Sequence, residues 1–161
     1  MESVLWGGFM VVPKDIAELL IEDGKRRVIC TLDEDKVFQC AIMRANGLYF
    51  INVGKPLRQK FNLKLGQKFN IVLAKDESEY GMEIAEELEA LLNQDDLFST
   101  QFHALTPGKQ RSLMYIVLKL KAADKRIVKS LAIAEHLAEA NGKLDFKQLN
   151  EKIKELNQRY A

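Results

Sequence analysis

Side chains able to carry chemistry are few in this sequence and poorly spaced for it. His103 and His136 lie far apart, with no cysteine or carboxylate at metal-ligand spacing, so no zinc site is expected. His103, between Phe102 and Leu105, has the setting of a packed or surface histidine rather than a base. Glu86-Glu87 and Asp95-Asp96 are paired carboxylates, but adjacent residues on a helix point different ways, so both pairs read as solvated surface. There is no glycine-rich phosphate loop and no nucleophile elbow. Trp6 and Tyr49 read as core aromatics or as the wall of a pocket. No catalytic residue, cofactor-binding residue or metal ligand is assigned, and no cofactor is expected. The one constellation with a chemical use is basic. Lys121, Lys125, Arg126 and Lys129 fall on one side of an expected helix, where they would contact phosphates. Lysines without Asn, Gln or aromatic companions read charge rather than bases. The plainer reading of the same four residues is the solvated side of an amphipathic helix.

The composition limits what must position these residues. With 161 residues, 47% hydrophobic and 29% charged, the chain suits one small domain, or one with an appendage. No apolar run approaches the ~20 residues that span a bilayer. The first residues, Met1 to Pro13, show no basic start and no cleavage-like site, so no secretory signal is expected. Cys30 and Cys40 fall on neighbouring expected strands and read as reduced, buried thiols, which fits a cytoplasmic setting, the alternative being a disulfide or redox pair across the hairpin. The net charge of +1 hides a segregation. Residues 1–75 carry 12 Lys/Arg and 8 Asp/Glu, residues 76–99 carry 9 Asp/Glu and no Lys/Arg, and residues 100–161 carry 12 Lys/Arg and 6 Asp/Glu. Such asymmetry marks either a nucleic-acid face beside an acidic segment or an acidic helix among the basic surfaces of its own fold.

The stretch from Pro56 to Leu73 organises the first half. Pro56 suits a first helical turn, Leu57 and Phe61 share a helical face, and Gly66 permits a tight turn. Phe69, Ile71 and Leu73 then alternate with polar or smaller residues, the period of a strand. Pro13–Leu20, Asp23-Gly24 and Arg27–Leu32 repeat that unit more weakly, so an internal duplication is one reading. Val4–Val12 reads as a first strand bulged at Gly7-Gly8, Val37–Met43 as the partner of Arg27–Leu32, and Asn46-Gly47 as a hairpin turn into Leu48–Val53. About five strands joined by short connections favour antiparallel pairing and a small barrel over residues 1–75.

Residues 76–161 read as helical and as packed on that barrel. Lys75–Gly81 is a polar link, and 83–93 is an acidic helix with Ile84, Leu88 and Leu91 on one face. Thr106-Pro107 opens basic helices over 106–140, with Leu113, Ile116, Leu120, Ala123, Ile127 and Leu131 as the apolar stripe. Asp124 is placed to cap a second helix within that run, and Asn141-Gly142 ends it. Asp145 caps a last helix over 145–159, with Leu149, Ile153 and Leu156 buried.

Two of these stretches carry a family resemblance. Pro56-Leu57-Arg58 through Leu73 is similar to the proline, leucine-arginine, glycine, alternating-strand signature of AbrB-like barrels. Phe102-His103-Ala104-Leu105-Thr106-Pro107-Gly108-Lys109-Gln110-Arg111, followed by Lys121, Lys125-Arg126 and Ile127, resembles the C-terminal region of the YdeI/OmpD-associated family. The resemblance spans roughly residues 3–135. It implies an α+β chain, with a small antiparallel double-split β-barrel followed by a helical region, of bacterial kind, under a bacteriocin-protection label with no catalytic residues. Tyr115 and Ala122-Ala123-Asp124 depart from the tail pattern, where relatives carry a Trp and a Thr-Arg run. Three functions compete. The first is a binding or regulatory module for nucleic acid, the second a protein-interaction or stress-protection module using the acidic 83–96 segment, and the third an enzyme with a barrel pocket. The third is last, for want of convergent polar groups. Partners are therefore nucleic acid or another protein, not a membrane and not a metal.

Overall fold

The computed structural model describes residues 1–161. The chain forms two compact units, Met1–Gly81 and Met82–Ala161.

The first unit is a closed barrel of six antiparallel strands. They are β1 (Glu2–Trp6), β2 (Phe9–Val12), β3 (Arg27–Leu32), β4 (Lys36–Ala45), β5 (Leu48–Asn52) and β6 (Lys68–Lys75), in the order β1-β2-β5-β4-β3-β6. Helix α1 (Lys14–Leu20) joins β2 to β3, and α2 (Lys55–Lys60) joins β5 to β6. Alternate residues point inward along each strand, as the pleat requires. Leu5, Met10, Val12, Val28, Cys30, Leu32, Phe38, Cys40, Ile42, Tyr49, Ile51, Phe69 and Ile71 fill the centre. Phe61 is only half-buried and packs at the rim against Phe38, with 6.4 Å between ring centroids.

The barrel has six strands where the sequence reads as about five. The Val4–Val12 segment is a hairpin rather than one bulged strand, because Gly7 and Gly8 adopt φ of +52° and +94° and reverse the chain. This completes an internal two-fold relation. Units β1-β2-α1-β3 and β4-β5-α2-β6 can be exchanged without changing the strand order, since β2 pairs with β5 and β3 with β6. The link after β6 belongs to the barrel. The Asp76 carboxylate accepts from Gln39 Nε2 and from Ser78, and Arg27 donates to the Gly81 carbonyl.

The second unit is helical: α3 (Glu86–Gln94), α4 (Asp96–Ala104), α5 (Pro107–Leu118), α6 (Ala123–Glu139) and α7 (Phe146–Arg159). Helix α6 is its centre and packs against the other four. Caps explain several boundaries. Thr106 accepts from Lys109 N with Pro107 in the first turn, and Asp145 accepts from Gln148 N. Asn141 and Gly142, both at positive φ, end α6.

Three readings change here. Asp95 caps a separate helix α4 by accepting from Phe98 N, so the acidic segment makes two helices, the first starting at Glu86 rather than residue 83. Asp124 is not a cap. Ala122 holds that position, and Asp124 lies in the first turn, where its charge suits the helix dipole. The buried face of α6 is Ser130, Ala132, Ile133, His136 and Leu137, while Ile127 is 48% exposed.

Two predictions follow from the barrel interior. Phe69 is 2% exposed, so Phe69→Ala should cost about 3–5 kcal/mol, measured as a fall in denaturant midpoint. Burial pushes both thiols up to about 12. Alkylation of the native protein at neutral pH, read by mass spectrometry, should therefore leave Cys30 and Cys40 unmodified until the barrel is unfolded.

Candidate functional site

The four basic residues singled out in the sequence do not form one surface. Arg126 turns inward. Its Nε donates to Glu87 Oε2 at 2.8 Å and its Nη2 to Glu87 Oε1 at 2.9 Å, a bidentate pair. Its Nη1 donates to the carbonyls of Leu120 and Lys121, both at 2.9 Å. The two side chains are 23% and 14% exposed. The hydrogen bonds from Arg126 hold the Glu87 carboxyl below its usual range. Arg126 therefore ties α3 to the turn between α5 and α6. Lys129 is half-buried, and desolvation, with Lys119 nearby, lowers its ammonium. Lys121 and Lys125 are exposed, with no carboxylate at ion-pair distance. Lys119 stands near them, its ammonium 6.0 Å from the Tyr115 ring.

The histidines sit apart in different settings. His103 is exposed, its Nδ1 2.7 Å from the Ser99 carbonyl. His136 is 2% exposed, and its Nε2 accepts from the Asp145 backbone N–H at 3.0 Å. A shallow depression of about 300 Å³ opens beside it, lined by Glu139, Gln148, Glu151, Lys152 and Glu155. Its charges serve one another. Lys152 pairs with Glu139 at 2.8 Å and Glu155 at 3.1 Å, and Arg159 with Glu135 at 2.9 Å and Glu155 at 2.7 Å.

A second basic region went unread because charge averaged over residues 1–75 conceals it. Residues 1–35 hold 4 Lys/Arg and 8 Asp/Glu, whereas residues 36–75 hold 8 Lys/Arg and no Asp/Glu. The two halves of the duplicated barrel thus carry opposite charge. Lys55, Arg58, Lys60, Lys64 and Lys68 gather around α2 and the turn into β6, none with a carboxylate partner. Trp6 lies on the strand beside them and is 60% exposed, so it is neither a core residue nor a pocket wall. Counting charge by half-barrel would have found this region.

A six-stranded barrel followed by a five-helix unit, with uncommitted cations in both, defines a two-unit α+β protein. Residues 5–73 match the domain of unknown function DUF1905, and residues 81–140 match the family described as "Bacteriocin-protection, YdeI or OmpD-Associated". The chain belongs to the YdeI/OmpD-associated family. Neither the curated proteins nor the solved structures gave a match. No helix is long and apolar enough to cross a membrane.

The His136 geometry sets a pH dependence. Burial holds its imidazole below the ordinary value, against the raising influence of Asp145 and Glu139 and with help from Lys152. The unfolded chain takes up the proton near its usual pKa of about 6.5, so the unfolded state binds more protons just below that pH. Stability is thus fully present above pH ~6.5 and declines as pH falls through the folded value. Melting temperatures between pH 7.5 and 5.5 should fall for the wild type and stay flatter for His136→Gln.

Proposed function

We propose that the helical unit binds nucleic acid through its phosphates, without sequence preference and without catalysis. The observation that carries this reading is the pair Lys121 and Lys125, exposed on the α5–α6 turn and the first turns of α6 with no carboxylate partner. Lys119 and the half-buried Lys129 add positive charge on either side. Arg126 serves indirectly: by donating to the Leu120 and Lys121 carbonyls it fixes the turn that presents Lys121. Such contacts read backbone charge, since no Asn or Gln stands among them and the one nearby ring, Tyr115, lies against Lys119. The same reading takes the barrel as AbrB-like and the protein as bacterial and cytoplasmic.

The test is fluorescence anisotropy of labelled duplex DNA and RNA across a salt series. Binding should weaken with salt at a slope on the order of −0.9 per phosphate neutralised on duplex DNA. Lys121→Glu with Lys125→Glu should remove about two such contacts from the slope and leave the fold intact, because exposed substitutions change stability by about 0.5 kcal/mol or less. Charge reversal at half-buried Lys129 would confuse loss of binding with loss of fold. An unchanged slope, or no binding at ~50 mM salt, overturns the reading and favours a protein partner for the acidic helix α3.

A further inference from the structure

We propose that the basic half of the barrel holds a second, separate site for a single-stranded nucleic-acid segment, with Trp6 and Phe9 as its base-stacking surface. This does not depend on the lysines of α6.

The rings are placed by strand register. Trp6 lies opposite Phe9 across the β1–β2 hairpin, so both side chains stand on the outer face of the barrel. Phe9 meets Phe50 of β5 edge to face, with centroids 5.6 Å apart. Val11 and Met43 flank Phe50 in the rows on either side. Trp6 is 60% exposed, Phe9 37% and Val11 36%, an apolar strip that the barrel itself leaves uncovered. Asn52 lies opposite Phe9 and is exposed, which puts an amide donor and acceptor beside the rings.

The cations surround this strip because the backbone ties them to it. A Cβ on Gly8 would stand 2.8 Å from Arg58 Nη1, so the guanidinium rests on the hairpin turn that joins Trp6 to Phe9. Val53 N–H donates to the Gly8 carbonyl at 2.6 Å, which brings the start of α2, with Lys55, to the same turn. On the other side, Leu5 N–H donates to the Gln67 carbonyl at 3.0 Å and Gly66 N–H to the Leu5 carbonyl at 2.7 Å. That pairing sets Lys64 and Lys68 beside β1, and Lys68 lies opposite Val4. The nearest acidic residue on this face of β1 is Glu2, which lies beyond Val4 and opposite Asn70.

Charge and chemistry together choose the occupant. Unneutralised cations on both flanks call for a polyanion, and the aromatic strip between them calls for flat apolar groups. A single strand supplies both, with phosphates at the edges and bases free to stack. A duplex keeps its bases inside and would use only the charge. An anionic bilayer also accepts Trp beside Lys and Arg, but Phe9 and Phe50 lie packed against each other in the sheet rather than projecting as a wedge. Asn52 beside them is suited to a base edge, not to an acyl chain.

Trp6 is the single tryptophan, so its fluorescence reports on this site alone. Titration of the full chain with oligothymidylate of about ten nucleotides at ~50 mM salt should quench it saturably, and more strongly than duplex DNA of equal length. The quench should persist in Lys121→Glu/Lys125→Glu and disappear in Lys55→Glu/Lys64→Glu, whose side chains are exposed and outside the core. Trp6→Ala, read by anisotropy of labelled oligothymidylate in the Lys121→Glu/Lys125→Glu background, should weaken binding about ten- to hundredfold. The proposal is overturned if the oligonucleotide leaves Trp6 fluorescence unchanged. It is also overturned if the quench needs Lys121 and Lys125, or if vesicles of anionic phospholipid quench Trp6 and oligothymidylate does not.

Discussion

The barrel depends on strand β6 pairing along both of its edges. It meets β1 on one side and β3 on the other, so no strand edge is left open. Two short hydrogen-bonded features secure the β1 side. The Met1 ammonium donates to the Ile71 carbonyl, and the 64–67 turn exchanges hydrogen bonds with Leu5. Gly66, at φ +84°, supplies the left-handed conformation that lets this turn deliver β6 to its place. A side chain with Cβ there would strain this turn. The inward residues Phe69 and Ile71 then fill the centre as a consequence of the register, not as its cause.

What could be read in the sequence follows from how each residue earns its position. Strand β3 and the Asn46-Gly47 turn were legible because a two-residue period and a positive-φ dipeptide are local signals. The caps at Thr106 and Asp145 were legible for the same reason. The Gly7-Gly8 hairpin was not, since two glycines serve equally as a bulge or as a reversal, and only the pairing of Trp6 with Phe9 separates the two. The face of α6 was misjudged because Ile127 and Leu131 repeat at helical spacing as well as Ile133 and Leu137 do. What decides is that Arg126 and Ser130 stand on the inner side with polar partners of their own: Glu87 for Arg126, and the Arg126 carbonyl for Ser130. A hydrophobic pattern cannot reveal a buried polar pair whose other half is distant in sequence.

The same reasoning separates charge that is available from charge that is spent. Arg126 looks much like Lys125 in sequence, yet four of its five N–H donors are occupied by one carboxylate and two carbonyls. Lys152 and Arg159 likewise belong to an internal network with Glu135, Glu139 and Glu155. The depression beside His136 is therefore polar without being receptive. By contrast, the exposed Lys55 and Lys64 side chains have no carboxylate partner in the barrel, and Lys60 only lies over the Phe61 ring at 5.3 Å.

The duplicated barrel shows how function can be carried by one half of a symmetric frame. Both halves repeat hairpin, helix and strand, so packing asks the same of each. Their surfaces are not alike, with acids in excess over residues 1–35 and absent over residues 36–75. Fold symmetry requires no such difference, and charge of one sign on a compact surface opposes folding by self-repulsion. A frame that is indifferent to surface charge leaves that charge free to answer to a ligand, which makes the asymmetry, rather than the barrel, the feature that a function must explain.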